Sequence, residues 1–462
     1  MRLSVLAALA CCAPIGLAAL TLDEAIQVTL EANPEIGEAV SNREAIEFEL
    51  KQARRLYLPQ IDLESRYGVE RLDSPSTRLR GDEDKAFQRR EGSVIVQQLL
   101  FNGFDRIGEV QRQASRVDGA SFRVYERSEF LALNVAREYL EVGLQQSIVG
   151  FARENLAYHR EVLGNISEGA EAQAISEADK QQAQERVFSA ESRLIQARED
   201  LNSAKIRFFK LVGQPLEGFV TPESVSSSLP PSLSDAIGVA RQHSPTIDVA
   251  TADLDTAYAQ FKQSKSEYYP ELAVELRGRS GEELDGIEGH ESELRAEVVM
   301  RWNIFRGGID LANQQEQLRR VDEERFGLHR AHRDVEEAVR LSWDRRQKQQ
   351  RRVVSLRNQL ASNKKLIVSY TEQFDVGERS LLDLLDTRNS LFNTHIELAR
   401  ARNALVFAEY RILASVGVLL QVLQVPPPSQ SGAYARSWVR APYTPEAETQ
   451  PRYSPFPQLG QE

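Results

Sequence analysis

The residues best placed to do chemistry in this chain are carboxylates. Asp383 and Asp386 stand three apart in a segment that starts a helix just after Gly377, so both project from one helix face. Paired carboxylates on one face attract cations. The same pattern also suits an ordinary solvated helix start, where acidic side chains are favoured by the helix dipole. His329 and His332 share a face at i, i+3, but their neighbourhood is Arg-rich and offers no cysteine, a poor setting for a metal. Neither His-Glu-x-x-His nor Gly-x-Ser-x-Gly occurs, and Gly103 to Gly108 runs into Glu109 instead of the Lys-Ser/Thr of a phosphate loop. The residues therefore point away from an enzyme and call for no cofactor and no metal.

The elements that must position the carboxylates are set by composition and periodicity. The 462 residues include 27% charged and 41% apolar types, too apolar for wholesale disorder and too polar for a bundle of membrane helices. After the first twenty residues there is no uninterrupted apolar window of the ~18 residues that a membrane helix needs. With 57 basic against 68 acidic residues the net charge is −11, which argues against nucleic acid as a partner. Residues 1–19 read as a secretory signal peptide, with Arg2 before an apolar run and small residues at Ala18 and Ala19. Cys11 and Cys12 fall inside that segment, so the mature fold depends on no disulfide, and lipidation at Cys12 stays open as an alternative.

The chain then repeats itself. Leu22-Asp23-Glu24-Ala25-Ile26 with Asn33-Pro34 returns as Leu233-Ser234-Asp235-Ala236-Ile237 with Ser244-Pro245, and Tyr57-Leu58-Pro59-Gln60 returns as Tyr268-Tyr269-Pro270-Glu271, both 211 residues on. Phe101-Asn102-Gly103 recurs as Phe305-Arg306-Gly307 and Leu211-Val212-Gly213 as Ser415-Val416-Gly417, both 204 residues on. The expected organisation is a first repeat over 20–212, a Gly/Pro/Ser-rich linker over 213–232, a second repeat over 233–421 and a Pro-rich disordered tail over 422–462.

Each repeat opens with a helix capped by Thr21 or Ser232 and running to Pro59 or Pro270. Strands follow. Ile61, Leu63, Tyr67 and Val69 alternate with Asp62, Glu64, Arg66 and Glu70, and Leu294 through Ile304 alternates in the same way with Arg295, Glu297, Arg301 and Asn303. Leu272, Val274 and Leu276 give a third strand, Ser93 to Phe101 a fourth that is apolar on both sides, and 72–90 and 280–292 read as exposed hairpin loops. Two long helices complete each repeat, with a break expected near 164–175 in the first and near Gly377 in the second. Between 335 and 374 twelve positions keep three-four spacing and eight are apolar, Ser342, Arg346, Gln349 and Asn363 being the exceptions.

Strands of about ten residues with one apolar and one charged face suit an outer-membrane barrel. Four strands cannot close one, and open edges in hydrocarbon leave backbone groups unpaired, so several chains must pool strands. Two chains would give eight strands and a filled interior; three would give twelve and a water-filled lumen. An antiparallel sheet packed on helices in a soluble protein fits the same alternation.

The duplicated unit, the Leu-Asp-Glu-Ala-Ile opening, Tyr57-Leu58-Pro59-Gln60 and Phe101-Asn102-Gly103 resemble the TolC family of outer-membrane efflux and secretion channels over residues 21 to about 421. Phe374-Asp375-Val376-Gly377-Glu378-Arg379-Ser380-Leu381-Leu382-Asp383-Leu384-Leu385-Asp386 is similar to the periplasmic tip of those channels. The resemblance implies an α+β membrane protein: a homotrimer whose twelve-stranded β-barrel, four strands per chain, sits in outer-membrane lipid and continues into a long α-helical barrel in the periplasm. It implies docking to a periplasmic adaptor (membrane fusion) protein and to an inner-membrane ABC or RND transporter. It also makes Asp383 and Asp386 the carboxylate rings of the channel entrance. Arg379 and Phe374 then stand where an arginine and an aromatic residue tie the inner helices shut, Phe374 without a tyrosine's hydroxyl, and Asp179 at the first-repeat tip becomes a partner in that latch. The function expected is an exit duct for efflux or type I secretion; a pore-free periplasmic coiled-coil scaffold and a secreted enzyme are the rival readings.

Overall fold

The computed structural model describes residues 20–171 and 176–444. The signal peptide, both cysteines and the tail beyond Thr444 lie outside them. The chain divides into two compact units: one built from residues up to 37, 125–244 and 335–428, the other from 38–124, 245–334 and 429 onward.

Each repeat opens with two helices where one was expected. α1 (Leu22–Ala32) is followed by α2 (Pro34–Arg55), and α6 (Leu233–His243) by α7 (Pro245–Gln263). Thr21 and Ser232 cap the first of each pair as expected, accepting from the Glu24 and Asp235 backbone N–H groups. The break has a local cause. Proline has no N–H to continue the helix and forces the residue before it out of the helical region, and Asn33 and Ser244 are extended, with ψ 130° and 117°. Asn33 is then free to donate its amide to the Leu211 carbonyl at 2.9 Å.

The strands lie in the second unit as one antiparallel sheet of order β1 (Gln60–Glu70), β2 (Phe87–Asn102), β3 (Glu271–Glu282), β4 (His290–Arg301). They are longer at the hairpin ends than the alternation indicated. Gln88 to Gly92 and Ser280 to Glu282 pair in the ladder despite their polarity, and the first loop holds the short helix α3 (Pro75–Arg80). β4 stops at Arg301 instead of Ile304, because Arg301 faces Glu271, the first residue of β3, and Pro270 before it has no N–H to give. A bulge between Leu99 and Phe101 shifts the register. It turns Phe101 onto the apolar face opposite Leu272, but Ile95 and Leu99 stay on the charged face, opposite Arg277 and Ala273, so β2 is apolar on both sides.

The register sorts the sheet into two faces. Ile61, Val96, Leu276 and Ala296 form one cross-strand row, and Leu63, Val94, Gly278 and Leu294 the next. These side chains have no cover: Leu63 is 80% and Leu294 82% exposed. On the other face, Glu64, Ser93, Arg279 and Glu293 line up, beside Asp62, Ile95, Arg277 and Arg295. Glu91 there lies among Arg66, Arg89 and Arg277. Among the described residues β1 and β4 each have a ladder partner on one side only.

α4 (Asp105–Glu171) and α8 (Ile309–Asp375) both have 67 residues and start 204 positions apart, followed by α5 (Glu177–Val212) and α9 (Leu381–Ser415). In the first unit α4 packs Ile148, Val149, Ala152 and Leu156 on Val187, Ala190, Leu194 and Ala197 of α5. The expected α8 seam packs on α9 through Val353, Leu398 and Ala401. Two of its polar members are paired across it: Arg346 with Glu409 at 3.3 Å, and Asn363 donating to Thr394 at 2.9 Å.

The tail corrects an expectation. Over its described residues 422–444 it is ordered: it follows the short helix α10 (Leu419–Val422) and in the second unit forms α11 (Ala435–Val439). Asp118 accepts the backbone N–H groups of Tyr434, Ala435 and Arg436 at 2.9, 2.7 and 3.1 Å. Asp255 pairs with buried Arg436 and accepts from Thr444 N–H at 2.9 Å. Proline content signals a chain unable to form long helices, but it does not register two carboxylates far back in sequence waiting for these donors.

Candidate functional site at the helix-hairpin tips

The tip of the second hairpin is shaped by Gly377, whose φ of +79° belongs to the left-handed region. The turn is closed by Gly377 N–H donating to the Phe374 carbonyl at 3.0 Å and Glu378 N–H to that of Gln373 at 2.9 Å. Ser380 then caps α9. Its Oγ accepts from the Asp383 N–H at 3.2 Å and donates to Asp383 Oδ2 at 2.8 Å. The first hairpin repeats this 204 residues earlier: Ser176 caps α5, accepting from Asp179 N–H at 3.1 Å and donating to Asp179 Oδ2 at 2.6 Å. Asp179 and Asp383 thus hold equivalent stations in two N-terminal first turns, where the exposed N–H groups stabilise negative charge.

The sequence-identified residues come together only in part. Arg379 lies 3.8 Å from Asp383, donates Nε to Gln373 Oε1 at 3.2 Å and places its guanidinium 4.4 Å from the centre of the Tyr370 ring. Phe374 instead packs into an apolar cluster of Ile166, Ala183, Leu381 and Leu385, as suits a ring without a hydroxyl. Among the described residues Asp179 has Ser176 as its side-chain partner and meets no arginine. Asp386, 60% exposed at the side chain, pairs with Arg186 of α5 at 3.1 Å.

Arg186, Tyr370, Gln373 and the two capping serines are therefore the residues that sequence reasoning did not single out. Ser-x-x-Asp at both repeats, and Tyr370 one turn before Phe374, were signals in plain view. Arg186 had none, since it pairs with Asp386 across 200 residues at non-equivalent positions of the repeat.

An unclosed sheet with an uncovered apolar face, joined in one chain to two helical hairpins with capped carboxylates at their tips, defines a channel of the outer membrane whose wall one chain only begins. The chain belongs to the outer membrane efflux protein family, whose model matches residues 25–214 and 236–418. It is 24% identical over 398 residues to the outer membrane efflux protein BepC of Brucella suis, covering 84% of each chain. It is 22% identical over 411 residues to the alkaline protease secretion protein AprF of Pseudomonas aeruginosa, covering 87% of this chain and 85% of that one. The fold matches the Campylobacter jejuni CmeC outer membrane channel with a TM-score of 0.74 at 14% identity, over 93% and 89% of the two chains. The family consists of outer-membrane channels, which sets aside the pore-free scaffold and makes transport, not catalysis, its business.

Proposed function

We propose that three copies of this chain assemble into the exit duct of a tripartite system, each lending four strands to a twelve-stranded barrel and two helical hairpins to a periplasmic tube. The observation that carries this reading is the pair of open ladder edges, β1 and β4, flanking a sheet whose apolar face has no cover. Hydrocarbon can solvate that face but not the edges, so β4 of one copy pairs with β1 of the next. Twelve strands leave a lumen, and the charged face of the sheet lines it.

At the hairpin tips, Asp179 and Asp383 alternate around the axis as one ring of six carboxylates and Asp386 adds three more. Such a ring favours cations in a narrow passage. Arg379 and Arg186 hold the carboxylates from within the same chain and act as the ties of the closed state. Docking of a periplasmic adaptor at the tips, with an inner-membrane transporter of the ABC or RND type behind it, supplies the energy for opening. The relatives include both an efflux protein and a protease-secretion protein, and the duct is proposed for efflux or type I secretion alike.

The test is planar-bilayer conductance of the purified protein against the Asp383→Asn/Asp386→Asn variant. Lower cation preference and altered conductance are expected. Identical traces would remove these aspartates from the entrance.

A further inference from the structure

In the second unit a cleft of about 510 Å³ opens where the chain enters and leaves the sheet, lined by Arg54, Tyr57, Ile107 and Val110 and by Trp438 and Val439 of the tail. Tyr57 precedes β1 by three residues and Ile107 follows β2 by five. The cleft therefore adjoins the end of the sheet where the uncovered apolar face begins at Ile61. Its rim is cationic and aromatic. The Arg54 guanidinium stacks 3.8 Å from the centre of the Trp438 ring and that of Arg106 lies 4.5 Å from the centre of the Tyr57 ring. Arg106 is occupied by the Leu99 and Leu100 carbonyls at 2.9 and 2.8 Å. Among the described residues Arg54, Arg55 and Arg440 have no carboxylate within ion-pair distance, whereas most arginines of the sheet do.

The repeat shows that this is not a by-product of the fold. At the equivalent positions of the second half Arg54 is Lys265, Tyr57 is Tyr268 and Val110 is Gln314, and Tyr268 donates its hydroxyl to Gln314 at 3.4 Å. The Val110 part of the wall is thus replaced there by a polar contact, while Ile107 keeps an apolar equivalent in Leu311.

We propose that the cleft binds an anionic phospholipid of the periplasmic leaflet, its phosphate held by Arg54 and its acyl chains running along Tyr57 and Ile107 onto the lipid face of the sheet. Three observations select this occupant. The cleft walls Tyr57 and Ile107 adjoin the start of β1 and the end of β2; the Arg54 guanidinium, without a carboxylate, matches phosphate; and Trp and Tyr beside a cation are what the water–lipid boundary favours. The tail, through Trp438, becomes a clamp at that boundary. The inference rests on the barrel reading of the sheet.

The chain has three tryptophans, Trp302, Trp343 and Trp438, and Trp302 stands one residue beyond β4. Full-length proteins keeping only Trp438 or only Trp302, the others changed to Phe, are reconstituted in phosphatidylcholine vesicles containing brominated phosphatidylglycerol or the same amount of brominated phosphatidylcholine. Trp438 is expected to be quenched preferentially by the brominated phosphatidylglycerol, with the preference falling about fivefold in Arg54→Gln, and with inorganic phosphate failing to compete. Equal quenching by the two lipids, or no quenching of Trp438 where Trp302 is quenched, would overturn the lipid site. Loss of the preference on adding phosphate would overturn it in favour of a free-anion site. If Trp302 itself escapes quenching, it is the barrel reading that fails.

Discussion

Asp386 of α9 lies 3.1 Å from the Arg186 guanidinium of α5, so the second hairpin is tied to the first by a pair that the repeat symmetry does not generate. The Asp386 side chain is 60% exposed, and exposed pairs of this kind contribute only ~0.2–1 kcal/mol. Arg186→Ala should therefore leave the melting temperature nearly unchanged while raising single-channel conductance. Exchanging the charges in Arg186→Asp/Asp386→Arg should return the conductance towards that of the parent. Failure of the exchange to do so would show that the pair is not the tie.

The two repeats also supply an internal control for backbone geometry. Gly103 and Gly307 occupy equivalent positions with φ of +65° and +66°, but a Cβ on Gly103 would lie 2.4 Å from the Ser266 carbonyl oxygen, while one on Gly307 would meet open space. Gly307→Ala should carry only the left-handed penalty of roughly 1–2 kcal/mol. Gly103→Ala must in addition displace backbone and disturb the edge-to-face contacts among Phe101, Phe104 and Tyr269, so a loss of about 3 kcal/mol or more is expected. Thermal unfolding of the two variants side by side decides it.

Asp118 closes the helix start of the tail by accepting three N–H groups. Asp118→Ala orphans those donors beside buried Ala435 and Arg436, which should cost about 2–3 kcal/mol locally. Limited trypsinolysis reads this directly: Arg436 should be cleaved in the variant and protected in the parent, with the channel otherwise intact.

Two buried groups of the helical unit give opposite pH dependences. Burial pushes Glu129 up to about 7, although it accepts the Leu419 and Leu420 N–H groups at 3.2 and 3.1 Å. Its contribution is full below pH 4.5 and is lost as pH rises through 7, by up to roughly 3 kcal/mol at ~1.4 kcal/mol per unit. Burial first, then Arg388, Arg186 and Arg193, push His159 down to about 4. Its contribution is present above pH 6.5 and is lost as pH falls towards 4. Melting temperatures across pH 4–8 should thus lose their neutral-side fall in Glu129→Gln. They should lose their acid-side fall in His159→Asn, the residue found at the equivalent Asn363. Unchanged profiles would count against both assignments.

Local and periodic features were legible without coordinates. The duplication, the caps at Thr21 and Ser232, the alternation of Ile61 to Val69 and the seam from Val335 to Phe374 all depend on residues within a few positions of one another or on a constant offset. Asp383 and Asp386 were legible for the same reason, as neighbours on one helix turn. The broken opening helices were also written locally, in Asn33-Pro34 and Ser244-Pro245, whose effect on the preceding residue outweighs the helical pattern around them.

What tertiary structure alone decided is where distant polar groups meet. A carboxylate can be satisfied by any cation or N–H that packing brings to it, and composition carries no record of which. So Asp386 finds Arg186 and not Arg379, Phe374 turns into an apolar cluster, and Asp118 and Asp255 anchor a tail whose prolines suggested disorder. The chain's own order of residues determined that it has a lipid-facing sheet too short to close on itself; the folded register, by fixing which side chains share a face and which edges stay open, decided how that sheet can be completed.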